Sequence, residues 1–164
     1  MIAWPDDLRP EVASVHARNV LETDASPERI WSWLVRASRW HELYSNCRRL
    51  RFVGEPGPDL RAGTKFTWWT FGVPVTTVID VFVPYERLAW RGEGLGARGY
   101  HAWEIERAGA VTRFVTEETQ RGAAPRLLRA AIRRGLLHFH QRWLEGLARA
   151  AHLGHPDIVK EIPT

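Results

Sequence analysis

Residues 23–31, Thr-Asp-Ala-Ser-Pro-Glu-Arg-Ile-Trp, mark the start of a helix. Ser26 can cap the helix, Pro27 suits its first position because φ is fixed and the N–H is missing, and Glu28 favours the positive end of the helix dipole. The apolar residues that follow have the spacing of a short amphipathic helix: Ile30, Trp31, Leu34 and Val35. We therefore predict that a helix begins at Pro27.

A strand precedes this helix, and a long run of strands follows it. Residues 14–23 mix polar and β-branched residues and predict the first strand. A second short helical turn is predicted over Ser38 to Tyr44, with Ser38 as its cap. Between Cys47 and Gln120, six stretches of alternating or β-branched residues are separated by glycine- and proline-rich turns. Six strands without a helix between them indicate an antiparallel meander.

The end of the chain predicts one long helix, from Pro125 to about Ala151. Its apolar residues fall on one face at the 3.6-residue period: Leu128, Ile132, Gly135, Phe139, Trp143, Gly146 and Ala150. Such a helix is about 40 Å long and can lie across a whole curved sheet. Gly135 and Gly146 remove side-chain volume from the inner face, either to keep space for a ligand or to allow close packing.

The order of these elements and several local motifs resemble the START-like or Bet v 1-like superfamily (SRPBCC), of the polyketide cyclase/dehydrase and lipid-transport type. The motifs are residues 23–31, Trp40 in the second short helix, the P-x-x-x-L-x-W pattern of Pro84 to Trp90, and a last hairpin with 101–105, 112–114 and 117–118. The resemblance implies an α+β helix-grip fold. In that fold a seven-stranded curved antiparallel sheet (β-α-α-β6-α) wraps around a long C-terminal helix and can enclose a ligand cavity.

Length and composition fit one domain. The chain has 164 residues, 45% hydrophobic and 26% charged, and we predict a single START-like ligand-binding domain over 1–154 and a loose tail over 155–164. No stretch approaches the roughly 20 apolar residues of a membrane span. The amino terminus lacks the pattern of a secretion signal, and a single cysteine, Cys47, excludes an intrachain disulfide. We therefore expect a cytoplasmic protein.

The basic charge of the chain does not indicate nucleic-acid binding. The net charge is +4, but the densest cluster, with Arg126, Arg129, Arg133 and Arg134, is expected on the outer face of the C-terminal helix. No nucleic-acid-binding motif accompanies it. We predict no nucleic-acid partner and leave a homodimer open.

Nine tryptophans suit either a heavy core or the wall of an aromatic-binding cavity. Alternation along the strands places one set of side chains on the face that we expect to be concave. The predicted ligand-binding residues are Trp68, Trp90, His101, Trp103, Phe114 and Thr116 from the sheet and Ile132, Gly135, Phe139 and Trp143 from the helix.

His101 and Glu118 are the candidates for acid–base chemistry. A histidine titrates near neutral pH, and a buried Glu118 would need a partner such as Arg98 or His101, while Glu117 would face water. This choice depends on the strand register. We predict no metal site and no cofactor, because His138 and His140 are two apart on a helix and point away from each other.

Three functions remain open at this stage. The first is binding of a small hydrophobic or aromatic, lipid- or polyketide-like molecule. The second is a polyketide cyclase or aromatase that uses the same cavity. The third is a stress-response or co-chaperone module, which would need an exposed apolar patch.

Overall fold

A computed structural model describes residues 2–54 and 57–162. Seven strands form one antiparallel sheet in the order β1-β7-β6-β5-β4-β3-β2. Their bounds are β1 Val15–Thr23, β2 Arg48–Val53, β3 Lys65–Thr70, β4 Val73–Val83, β5 Arg87–Gly94, β6 Ala97–Ala108 and β7 Val111–Gly122. This is the predicted seven-stranded α+β helix-grip fold. Only β1 is out of sequence order, because the chain crosses from one edge of the sheet to the other between β1 and β2.

Two short helices occupy that crossing, α1 Pro27–Val35 and α2 Trp40–Leu43. Ser26 caps α1 as predicted, since its side chain accepts a hydrogen bond from the N–H of Arg29. The predicted cap at Ser38 is wrong. A 3-10 turn, Ala37–Arg39, comes before α2 and takes up Ser38, so Arg39 precedes α2 without a side-chain cap.

Two neighbouring hairpins end in tight turns with bulky residues. Phe71 and Gly72 join β3 to β4, and Leu95 and Gly96 join β5 to β6; all four have positive φ. Two successive positive φ values are typical of the type I′ turn, whose twist matches that of the strands. Positive φ is uncommon for large side chains such as Phe and Leu. Both turns therefore hold an apolar side chain at a hairpin tip.

The C-terminal helix is two helices, which corrects the prediction of one. A short α3, Ala123–Leu127, is followed by α4, Arg129–Leu153, and Leu128 between them leaves the helical region. The helical spacing of apolar residues continues through Leu128, and no proline or glycine lies next to it, so the sequence did not reveal this break. The buried Pro125 holds α3 against the ends of β6 and β7, and the chain must turn before α4 can cross the sheet.

Trp40 is the centre of the core. Its ring contacts Phe66, Trp68 and Trp90 of the sheet and lies 4.9 Å from the ring of Trp143 on α4, edge to face. All these rings are buried. Edge-to-face pairs add about 0.5–1.5 kcal/mol each beyond area burial. This aromatic cluster fixes α2 and the second half of α4 on the concave face.

Residues before β1 cover part of the convex face of the sheet. Ile2, Trp4 and Leu8 pack against a separate buried cluster that includes Tyr100 and Ala102. The hydroxyl of Thr119 donates to the carbonyl of Leu8 over 2.7 Å. The convex face is therefore partly buried too.

The described part of the predicted loose tail is tied down, which corrects that prediction for residues 155–162. Arg39 donates to the carbonyls of Pro156 and Val159, each over 2.6 Å, and Arg36 pairs with Asp157. Residues 163 and 164 lie outside the described part of the chain. Over residues 2–54 and 57–162, no helix is both long and apolar enough to cross a membrane.

The two glycines singled out on α4 have different surroundings. A Cβ at Gly146 would lie 2.4 Å from the carbonyl oxygen of Leu43, so this glycine allows α4 to approach α2 closely. A Cβ at Gly135 would meet only the ring of Phe71, at 3.5 Å, an ordinary contact. Close packing explains Gly146, whereas Gly135 borders open space.

We therefore expect opposite effects from the same substitution. Gly146→Ala should lower the free energy of unfolding by about 1–3 kcal/mol, because a backbone carbonyl would have to move. Gly135→Ala should leave stability unchanged or raise it by up to about 1 kcal/mol, since alanine is the better helix former. Urea denaturation of both variants checks this, and equal effects would contradict the packing difference.

Candidate functional site

A cavity of about 470 Å³ lies between the concave face of the sheet and the first part of the C-terminal helices. Its walls are mostly apolar or aromatic and come from β3 to β7, α3 and α4. The larger lining side chains include Tyr44, Trp68, Val75, Trp90, Ile132, Leu136 and Trp143. The volume is within the range of about 300–1,000 Å³ that is usual for small-molecule sites.

The cavity lies at one end of the sheet because α4 is packed unevenly. Its second half packs against α1 and α2 and carries the buried Trp143, Leu144 and Leu147, whereas β1 is contacted along both halves. Its first half presents the small residues Ala131 and Gly135 to the sheet. Since the aromatic cluster fills only the far end, space remains beneath the first turns of α4.

Exposed apolar side chains surround the opening of this cavity. Leu95 and Phe71, at the two hairpin tips, are 73% and 38% exposed, and Leu128, at the helix break, is 57% exposed. Leu127 beside it is 77% exposed. The entrance is therefore apolar, although its side chains are exposed to solvent.

Three polar side chains meet at the inner end of the cavity: His101 on β6, Glu118 on β7 and His140 on α4. His101 and Glu118 are direct partners across the strand pair. Oε2 of Glu118 lies 3.2 Å from Nδ1 of His101 and 3.2 Å from Nε2 of His140. The two imidazole rings stack with their centroids 4.6 Å apart. We call these three residues the His-Glu-His cluster.

Further side chains hold the cluster in place. Nε2 of His101 lies 2.5 Å from the hydroxyl of Thr116, and the amide of Gln120 donates to Oε1 of Glu118 over 2.6 Å. Glu118 thus has one oxygen directed at the histidines and one held by Gln120. Arg98 lines the cavity but pairs with Asp7 at 3.1 Å, so it is not the predicted partner of Glu118.

Burial determines the charges of the cluster. Loss of solvent, together with the nearby His140, lowers the pKa of His101 to about 3, against a smaller opposing effect of Glu118. Burial alone would raise the pKa of Glu118, but the hydrogen bonds from His140 and Gln120 and the electrostatic interaction with the two histidines outweigh it, so this pKa is lowered. At neutral pH the cluster therefore combines a neutral His101 with an ionised Glu118.

The phenol of Tyr44 and the thiol of Cys47 stay neutral. Burial raises the pKa of Tyr44, whose hydroxyl accepts a hydrogen bond from Asn46, above its usual range. Burial also raises the pKa of the nearby Cys47 thiol to about 12. Neither residue is therefore an ionised nucleophile or base at neutral pH.

Several buried polar atoms around the cavity have no hydrogen-bonding partner among the described residues. They are Nδ1 of His140 and the indole N–H groups of Trp103 and Trp143. Trp143 and His140 also line the cavity. A bound molecule with an acceptor could satisfy the indole N–H of Trp143, and unsatisfied buried groups cost about 1–3 kcal/mol each.

The predicted ligand-binding residues fall into two groups. Those that line the cavity are Trp68, Trp90, His101, Ile132, Gly135 and Trp143. Trp103 and Phe114 are buried in the core, Thr116 is bonded to His101, and Phe139 is half-buried against Phe71. The predicted inward face of the strands holds for all six sheet residues, because each is buried on the concave side.

The structure places Glu118 toward the cavity, but it corrects the expectation that Glu117 faces water, because the side chain of Glu117 is only 13% exposed. Glu118 points inward, whereas Glu117 lies on the opposite face, where it pairs with His16 and Arg18. A one-residue slip would have exchanged them.

Sequence reasoning missed His140 and Gln120. His140 was considered only with His138, yet it lies four residues after Leu136 and three before Trp143, and both of those are buried. A helical face centred on these residues would have included it. Gln120 shares the face of Glu118 by strand alternation, so the same register predicts its position.

Solved structures give the same fold. A hypothetical protein of Helicobacter pylori, jhp0584, is 28% identical, with a TM-score of 0.84 over 90% of this chain and 94% of that one. TTHA0849 from Thermus thermophilus is 20% identical, with a TM-score of 0.69 over 84% and 97%. The di-domain ARO/CYC StfQ from the steffimycin biosynthetic pathway is 13% identical, with a TM-score of 0.65; the match covers 87% of this chain and 51% of StfQ.

No curated protein matches the chain in sequence. The model of the family described as polyketide cyclase / dehydrase and lipid transport matches residues 14–152, from the first strand to the end of α4. Sequence order, fold and cavity all agree with that match. The chain belongs to the polyketide cyclase / dehydrase and lipid transport family.

Proposed function

We propose that this protein binds a small, largely apolar or aromatic molecule that carries one polar group. The observation that carries the proposal is the cavity of about 470 Å³, apolar along its walls and polar at its inner end. A guest would enter between Phe71, Leu95 and Leu128. Its apolar part would lie against Trp68, Trp90 and Trp143, and its polar group would reach the His-Glu-His cluster.

The polar end favours a guest with a hydroxyl or similar donor. Glu118 is ionised, and its Oε2 faces the histidines at the cavity wall. A hydrogen bond to a charged acceptor contributes about 1.5–3 kcal/mol, more than a neutral one. The indole N–H of Trp143, which has no partner in the described part of the chain, adds a donor on the same wall. Phenols, polyketide-like aromatics and hydroxylated lipids fit this description.

Catalysis of the cyclase or aromatase type is the second candidate, and the His-Glu-His cluster is the observation that favours it. The Glu118 carboxylate can accept a proton from a carbon next to a ketone, and the Nε2 side of His140 can donate to the enolate oxygen that results. Both atoms lie at the wall of a site that shields a reactive intermediate from water.

In this proposal the exposed apolar side chains around the cavity opening form the path by which the ligand enters. Leu95, Leu127 and Leu128 could also contact a partner protein, as the co-chaperone alternative requires. Their place at the cavity opening favours the small-molecule function, because entry of an apolar guest needs an apolar path.

Filling the cavity should abolish most of the binding. In Gly135→Leu the new side chain extends toward Phe71 and occupies the entrance, so we expect 2-naphthol to bind at least about 10-fold more weakly, which is 1.4 kcal/mol. Quenching of tryptophan emission measures the affinity. Ala130→Leu is the matched control, since Ala130 is exposed on the same helix outside the cavity lining. Equal affinities in the two variants would rule out this cavity as the binding site.

The charge state on which the proposal depends predicts a loss of stability in acid. Below pH 6.5 the unfolded chain takes up a proton at His101 that the folded chain does not take up until about pH 3. The free energy of unfolding therefore decreases as the pH is lowered below 6.5, by up to about 1.4 kcal/mol per pH unit. The lowered pKa of Glu118 adds to this loss only below about pH 4.5.

Between pH 7 and pH 5 the unmodified protein should lose about 2 kcal/mol more than His101→Gln does. Urea denaturation at the two pH values gives both losses. His138→Gln, at an exposed position of α4, should behave like the unmodified protein. Identical pH dependence in all three would mean that His101 is not buried and neutral.

The catalytic candidate has its own test. With 2-tetralone in heavy water, the protein should speed the exchange of hydrogens next to the ketone above the rate in buffer, as followed by NMR. Glu118→Gln keeps the shape but loses the base, so exchange should return to the buffer rate. If the unmodified protein bound 2-tetralone but did not accelerate the exchange, this proton transfer would be excluded and only the ligand-binding function would be supported.

A further inference from the structure

The His-Glu-His cluster has a donor set that suits a metal ion. Two imidazole nitrogens and one carboxylate oxygen, from three different elements, lie within 4.8 Å of one another. Two histidines with one glutamate are a known donor set for Zn²⁺ with an open fourth position. Here the fourth position would face the cavity, because all three residues line it.

The two separations between Glu118 and the histidines fit coordination. Zn²⁺ binds nitrogen and oxygen at about 2.0–2.1 Å, which places neighbouring tetrahedral ligands about 3.3 Å apart. The separations from Glu118 Oε2 to His101 Nδ1 and to His140 Nε2 are both 3.2 Å. An ion could therefore replace these two contacts with coordinate bonds without a large movement of the backbone.

The surrounding side chains present the three ligand atoms correctly. The hydroxyl of Thr116 can accept a hydrogen bond from a protonated Nε2 of His101, and in that tautomer the lone pair of Nδ1 is available to an ion. Gln120 holds Oε1 of Glu118 and leaves Oε2 for a single coordinate bond. His140 is 1% exposed, and its Nε2 now donates to Glu118; an ion bound at Nε2 would require that proton to move to Nδ1, which has no partner among the described residues. Such outer partners are typical of metal sites.

Charge points the same way. Within the described chain, the only side chains at ion-pair distance from Glu118 are the two histidines, and no lysine or arginine pairs with it. A buried carboxylate needs compensation by a cation or a metal. A divalent ion would provide it directly.

We propose that His101, Glu118 and His140 bind a divalent transition-metal ion of the Zn²⁺ type, with a free coordination position open to the cavity. His138, the neighbour of His140 that was weighed as its helical partner, plays no part in it. The site does not depend on the proposed organic guest. It would, however, give a guest with an oxygen atom a further ligand position.

Titration of chelator-treated protein with Zn²⁺ and Co²⁺, without any organic molecule, tests the site. We expect one Zn²⁺ per chain by calorimetry and the intense visible absorption of a four- or five-coordinate Co²⁺. Glu118→Gln and His140→Phe should each lower the affinity at least about 100-fold, and Thr116→Val about 10-fold, as for loss of an outer partner. Thermal unfolding with and without Zn²⁺ gives a second readout, since a bound ion raises Tm.

Controls separate this site from surface binding. His138→Phe changes an exposed histidine of the same helix, and His152→Gln removes one member of the exposed pair His152 and His155. Neither should change the affinity. The proposal would be overturned if no Zn²⁺ bound at concentrations up to about 100-fold above a micromolar Kd. It would also be overturned if binding survived Glu118→Gln but was lost in His152→Gln. Binding of 2-naphthol is measured separately, so its failure would leave the metal result intact.

Discussion

The contact between Trp40 and Trp143 is the constraint on which the rest of the structure depends. These two buried rings meet edge to face at 4.9 Å and join the short helix α2 to the long helix α4. Tyr44 stacks on the other side of Trp143 at 4.2 Å, and three sheet aromatics surround Trp40. Gly146 lets the helix backbones come close enough for these contacts. The position of α4 over the sheet is therefore set at its second half.

The cavity follows from that anchoring. Because large side chains fill the concave face only around Trp143, the first half of α4 stands over a hollow that Ala131 and Gly135 do not fill. The break at Leu128 and the two hairpin tips then leave the hollow open on one side. The packed core and the cavity thus occupy two ends of one concave face. A larger residue in the first turns of α4 would fill the cavity and leave the packed core unchanged.

The polar end of the cavity is held together by a single carboxylate. Glu118 is ionised although its side chain is only 14% exposed, and its partners among the described residues are two histidines and Gln120. Burying a charged carboxylate costs free energy unless hydrogen bonds or ion pairs satisfy its oxygen atoms. The three proposed roles, which are hydrogen bonding to a guest, proton transfer and metal binding, all use the same oxygen, Oε2, so they would compete for one position.

The sequence by itself determined the order of strands and helices, the inward faces of the strands and the choice of Glu118 over Glu117. These are local properties, because helix caps, period-2 alternation and turn residues act over a few neighbours. Only the tertiary structure decided that Leu128 breaks the last helix, that Gly146 serves packing while Gly135 borders space, and that His140 joins His101 and Glu118. Those outcomes depend on contacts of α3 and α4 with residues far away in sequence, such as Gly146 with Leu43 and His140 with Glu118, and such contacts leave no periodic trace in the chain.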